Sequence, residues 1–423
     1  MEFFRQKYVT LSIMKDYNLF TLDNGLRVVH SYDPMTAMVA VDVLYNVGSR
    51  DERDDLTGLA HLLEHLMFGG SVNIPDYDAA IERAGGSNNA WTSEDFTNYY
   101  DYAPAINLDT LLWLESDRML SLAFSNENLE VQRAVVIEEF KQTHLNTPYG
   151  DFGALLREQL YHVHPYRHIT IGSEIGHIER ITLDDVKEFF YSHYAPNNAV
   201  VSVVGNVTLE EVRDKVNYWF GGIDRRPVAP RLHGPEPRIE APRSLKVRRE
   251  CPSTRVAVAY PMGPWGSRDF YEGDLLTDLL AAGRSGLFRG ELVRDHGIFA
   301  QADASVSGHA EPGYLMLQGL LTDNSDEAAS RAVELLTETA SRLKEHVGAS
   351  ELGRALAGKE CQMEFGRTML INRAEQLAEA VMKGVEPDSE MELYRAITPG
   401  ELQAAATRIM DPSHAVTLIY QPR

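Results

Sequence analysis

The chain has 423 residues, a formal charge of −22, 44% hydrophobic and 24% charged residues, and two cysteines. That length exceeds one hydrophobic core, so at least two globular domains are expected. The acidic balance argues against nucleic acid and anionic membranes, no apolar stretch approaches a membrane span, and Cys251 and Cys361 supply neither a disulfide framework nor a zinc spacing.

The N-terminus, Met1 to Lys7, lacks the apolar core of a signal peptide and the Arg/Ser bias of a transit peptide, so a cytoplasmic location is expected. Tyr17 to His30 alternates and turns at Asp23-Asn24-Gly25, which predicts a β-hairpin. Met38 to Tyr45 reads as a strand. The stretch Gly58 to Gly70 then holds His61-Leu62-Leu63-Glu64-His65, an H-x-x-E-H pattern. On a helix the two histidines lie one turn apart on one face and can bind one divalent metal, zinc above others. Glu64 can reach water at such a metal rather than the metal itself, which suits a general base. Thr57 is the expected helix cap and Gly69-Gly70 the stop.

Pro75 to Ala84 predicts a short helix, Ser87 to Trp91 and Phe96 to Ala103 a strand pair, and Leu108 to Leu122 a helix. The helix expected over Asn126 to Leu145 carries Glu138 and Glu139, the best acidic candidates for a third ligand. Its periodicity does not separate the two. Helices follow at Asp151 to Tyr161, at Thr182 to Tyr194 and at Leu209 to Phe220, with a buried strand at Ala199 to Val204. Gly221 to Arg243 holds five prolines and no periodicity.

A second series begins with strands at Ser244 to Arg249 and Thr254 to Tyr260, then a helix at Tyr271 to Ala282. It continues with a strand at Tyr314 to Leu321 and helices at Ser325 to His346, Ser350 to Lys383 and Thr398 to Ile409, closing on a strand at Ala415 to Tyr420. The expected fold class is therefore α+β, with two homologous domains, each a mostly antiparallel sheet packed with helices. The expected boundaries are 1–222 for a zinc-bearing domain, 223–243 for a linker and 244–423 for a related domain without the metal motif.

Across nearly its whole length the chain resembles the pitrilysin family, which includes insulysin and the mitochondrial processing peptidases. The resemblance rests on Gly48-Ser49-Arg50, the His61 to His65 motif, Gly85 to Thr92, Gln132 to Glu139, His164-Pro165-Tyr166, Ala195 to Ala199, Val204-Gly205-Asn206 and Gly286-Leu287-Phe288. It implies a zinc metallopeptidase with one Zn²⁺ per chain, ligands His61, His65 and Glu139, and Glu64 as general base. It also implies that Asn89, Ala90, Trp91 and Thr92 form an edge strand to which a substrate peptide adds, a mode with sequence-tolerant main-chain bonding.

Two departures from the family pattern stand out. A glutamate usually lies seven residues before the third ligand; here it is Gln132, which keeps hydrogen bonding beside the site without the charge. Complete sites in the family also use an Arg and a Tyr seven residues apart from a C-terminal half, and here those positions are Leu292 and Phe299, with Arg294 out of register. The expectation is one half of a clam-shell. Its partner would be a related chain lacking the zinc motif but supplying that Arg/Tyr pair, or else a second copy. The alternative is a non-catalytic peptide-binding or scaffold subunit.

Overall fold

The computed structural model describes residues 16–231 and 233–423. The reading of Met1 to Lys7 lies outside the described residues. In chain order the first half contains β1 (Asn18–Thr21), β2 (Arg27–Tyr32), β3 (Met38–Tyr45), α1 (Leu59–Leu66), α2 (Tyr77–Arg83), β4 (Ser87–Thr92) and β5 (Thr97–Pro104). It goes on with α3 (Leu108–Ser121), α4 (Asn126–Phe140), α5 (Phe152–Leu160), α6 (Ile175–Arg180), α7 (Leu183–His193), β6 (Ala199–Gly205) and α8 (Leu209–Phe220). The second half contains β7 (Arg243–Arg249), β8 (Arg255–Met262), α9 (Arg268–Ala281), β9 (Phe299–Ser307), β10 (Gly313–Leu321) and α10 (Asp326–Glu345). It ends with α11 (Ala349–Arg367), α12 (Leu370–Lys383), α13 (Glu390–Arg395), α14 (Pro399–Ile409) and β11 (Val416–Pro422).

The strands form two sheets, ordered β1-β2-β6-β3-β5-β4 and β7-β11-β8-β10-β9. In the first, β6 inserts between β2 (parallel) and β3 (antiparallel); in the second, β11 inserts between β7 and β8 with the same senses. The two sheets thus repeat one topology, with β4 and β9 at matching edges. The second series opens as two strands in sequence, but β7 and β8 are not neighbours, because β11 separates them.

Each sheet is covered on both faces, which explains why runs such as Ala199–Gly205, apolar but for Ser202, are buried throughout. One face of the first sheet packs on its own helices through Val39, Val41, Val43, Leu62, Leu63 and Leu112. The other face, with Val29, Ala40, Leu44, Val200 and Val204, is covered by Ala374, Leu377, Ala378 and Val381 of α12, from the second half. The second sheet is covered in return by Phe152, Leu156 and Leu160 of α5, from the first half, against Ala257, Val416 and Leu418.

The exchange depends on a break that periodicity does not reveal. One helix is expected over Ser350 to Lys383, yet it divides at Thr368-Met369 into α11 and α12. Met369 is extended (φ −94°, ψ 125°), which redirects α12 onto the first sheet. The described residues of 223–243 hold no regular element until β7 begins, yet they are docked: the Glu236 carboxylate accepts the backbone N–H groups of His162, Val163 and His164. Among the described residues no helix is long and apolar enough to cross a membrane.

Candidate metal centre

α1 is anchored by Leu59, Leu62, Leu63 and Leu66, all buried, which leaves His61 and His65 together on the opposite stripe. Its start differs from expectation. Gly58, not Thr57, is the capping residue, in the left-handed region at φ +92°, where an added Cβ would lie 2.7 Å from the Ile171 carbonyl oxygen. The helix's first N–H groups are instead satisfied by Glu52, whose carboxylate accepts from Gly58 (2.9 Å) and Ala60 (2.7 Å). The Thr57 hydroxyl is engaged elsewhere, accepting from the Ser173 N–H and bonding His177 Nδ1, each at 2.8 Å.

α4 lies against α1 and separates the two glutamates that its pattern left unresolved. Glu139 Oε1 lies 3.9 Å from His61 Nε2, and its Oε2 lies 3.5 Å from His65 Nε2. Glu138 turns outward and pairs with Lys141 Nζ at 2.6 Å. The donor atoms of His61, His65 and Glu139 all lie within 4.8 Å of one another. Tetrahedral zinc about 2.1 Å from N/O donors spaces them by about 3.4 Å, so this set fits zinc with small adjustment.

The electrostatics agree with that fit. Burial, with the neighbouring His65, pushes His61 down to about 4, so its imidazole is neutral and keeps a lone pair at neutral pH. Burial also acts to lower His65, but the Glu139 hydrogen bond, the charges of Glu64 and Glu139 and a bond with Gln132 outweigh it and raise it. Glu139 is correspondingly lowered, chiefly by its bond to His65. Glu64 is raised, above all by burial, and its Oε2 accepts the Thr92 hydroxyl at 2.5 Å.

These groups line a cavity of about 720 Å³, together with Asn89, Ala90, Trp91, Thr92 and Gln132. His61, Glu64, His65, Gln132, Glu139 and Asn89 to Thr92 therefore border one space. Among the described residues β4 is the sheet's outer strand, paired on one side only, so one edge of its backbone is open to another strand. Sequence reasoning missed His144, Glu94 and Arg157, which also line the cavity. His144 lies in a wide turn over Lys141–Leu145 that continues α4, and this widening gave no sequence signal. The buried Glu94–Arg157 ion pair joins the β4–β5 turn to α5, a contact between distant segments.

Leu292 and Phe299 are fully buried in the second half's core, and Arg294 is exposed and pairs with Asp295 at 3.0 Å. A second group of possible donors, His164, His233 and Glu311, lies where the halves meet. It does not fit a metal. His164 Nδ1 accepts the Tyr166 backbone N–H at 3.2 Å, so the proton sits on Nε2, which donates to Glu311 at 2.8 Å. The His164–Glu311 pair is a hydrogen-bonded strut, and His233 lies beside it with its Nε2 3.6 Å from Glu311.

Residues 27–171 match the model of Insulinase (Peptidase family M16), and residues 180–359 match that of the Peptidase M16 inactive domain. The zinc protease PqqE of Helicobacter pylori is 32% identical over 335 residues, 77% of this chain and 75% of that protein. This chain belongs to peptidase family M16. Among other M16 proteins, a probable mitochondrial-processing peptidase subunit beta of Arabidopsis thaliana is 26% identical over 59% of this chain and 47% of its own length. A crystal structure of a protease from Helicobacter pylori superposes with a TM-score of 0.89 at 27% identity, covering 96% of this chain and 99% of that one. Pitrilysin shares the M16 fold (TM-score 0.78, 18% identity), with 96% of this chain covering 45% of the pitrilysin chain. In fold this M16 chain corresponds to about half of pitrilysin.

Proposed function

We propose that this chain is a zinc metalloendopeptidase that cleaves peptides or unfolded segments, acting as the zinc-bearing half of a dimer. The observation that carries this reading is the convergence of His61, His65 and Glu139 beside Glu64 and a free strand edge. His61 and His65 through Nε2, and Glu139 through its carboxylate, would hold the ion. When bound there, zinc supplies Lewis acidity, acidifying water and polarising a carbonyl.

The chain's own residues do the rest. The free edge of β4, at Asn89 to Thr92, pairs with an extended peptide and lays its backbone across the cavity. Glu64, held at Oε2 by Thr92, takes the attacking water's proton and returns it to the leaving amine. Gln132 fixes the His65 ring by hydrogen bonding. The developing negative charge on the carbonyl oxygen needs further donors. Leu292 and Phe299 have none to give, which favours a related partner chain carrying the Arg/Tyr pair over a second copy of this one. Two free cysteines fit a reducing cytoplasm.

The test is peptidase activity on a mixed peptide library, with the purified chain alone and with any related chain encoded beside it, alongside metal analysis. Activity that needs the partner and is lost in Glu64→Gln supports the split-site dimer. Activity of the chain alone removes the need for the partner. Bound zinc without activity in either arm favours a peptide-binding subunit, and absence of zinc overturns the ligand set.

A further inference from the structure

The substrate edge is braced from the opposite half. Successive side chains of β4 point to opposite faces of the sheet. Ala90 packs towards α1 and Thr92 reaches Glu64. Trp91 points the other way, into the cluster formed with α12. There its indole N–H donates to Glu375 Oε1 at 3.0 Å. Asn98, opposite Trp91 in the ladder, donates to the same oxygen at 3.4 Å and to Asp42 Oδ1 at 2.7 Å. One carboxylate of the second half thus ties together the last two strands of the first sheet, one residue from the partner of the general base. Among the described residues β4 has no outer neighbour to hold it, so this tie from the sheet's face steadies a strand paired on one side only.

Resting on the peptidase reading, we propose that Glu375 is a positioning residue: through the Trp91 indole it sets the placement of the edge strand that grips substrate. Substrate binding by the first half then depends on how α12 of the second half is seated. The proposal concerns side chains that are not among the three metal donors and needs no change in the ion.

The experiment uses full-length chain in the Glu64→Gln background, with a fluorescein-labelled unstructured peptide as ligand and hydrogen exchange as an independent readout. Glu375→Leu removes the acceptor, Glu375→Gln keeps one, and Trp91→Phe keeps the ring without the N–H. A hydrogen bond to a charged acceptor is worth about tenfold. Glu375→Leu and Trp91→Phe should each weaken peptide binding by about tenfold and speed exchange over residues 87–92, with α1 exchange and zinc content unchanged. The double variant should be no worse than either single one, and Glu375→Gln should stay within about twofold of its parent. Unchanged exchange over 87–92, or independent additive losses, would overturn the positioning role. Faster exchange with unaltered peptide binding would overturn the link to substrate. If the parent binds no peptide, the peptidase reading fails and takes the substrate link with it, while exchange still decides whether Glu375 holds the strand.

Discussion

Glu138 and Glu139 are adjacent, chemically identical and equally plausible on a helical wheel, yet one faces two histidines and the other a lysine. Glu139→Gln should therefore abolish stoichiometric zinc binding, while Glu138→Gln leaves it intact, as metal analysis after dialysis would read. Glu64→Gln should retain zinc and lose at least about a hundredfold in peptidase rate, the scale of a lost general base. Glu52 supports the site from outside it. Burial pushes its carboxyl up to about 8, against two backbone N–H bonds that favour the ionised form. A folded-state value raised above the usual 4.5 means the native chain binds the extra proton between these limits. Stability should therefore fall as pH rises from about 5 to 8 through this group, and Glu52→Gln should flatten that window in denaturant titrations.

At the scale of elements, α12 decides the packing of a sheet it does not belong to. Leu377 is 1% exposed among Val29, Leu44 and Val200. Leu377→Ala should cost about 2–5 kcal/mol, with hydrogen exchange rising in β3 and β6 before the second sheet. Much of the element series is legible in sequence because it follows local rules. Asp23-Asn24-Gly25 marks the first hairpin, Thr182 starts the helix expected there and caps it, and Met38–Tyr45 is read to the residue. The failures are tertiary. Thr57 resembles a cap by type, but a glycine with positive φ and a distant glutamate do that work. β9 alternates from Ala300 to Ser307, but its apolar positions are mostly alanines, poor strand formers, so it was passed over. The α11–α12 break carries neither Pro nor Gly at Thr368-Met369, so the redirection comes from what α12 finds to pack against. The histidine pair was legible because its spacing is local, whereas the Glu94–Arg157 and Trp91–Glu375 contacts join segments far apart in sequence.

At the scale of the whole molecule, the two halves are interlocked rather than merely adjacent. Each lends a helix to the other's sheet, and a buried polar junction links them: Tyr166 donates to Asp95 at 2.5 Å, and the Ala310 N–H donates to the same carboxylate at 2.8 Å. Thermal unfolding should accordingly show one transition, with calorimetric and van't Hoff enthalpies equal. Residues 16–222 expressed alone should fail to give a soluble monomer, and co-expression with 223–423 should restore it. The exchange of α5 and α12 also bears on how the chain is made. The first sheet is complete in sequence at Gly205, but the helix that covers its outer face starts at Leu370, about 165 residues later. At ribosomal speeds that interval is on the order of ten seconds or more, during which Val29, Ala40, Leu44, Val200 and Val204 have no lid. The nascent first half is therefore the stage most in need of chaperone protection, and a pause in translation before residue 370 would harm this protein more than one after it.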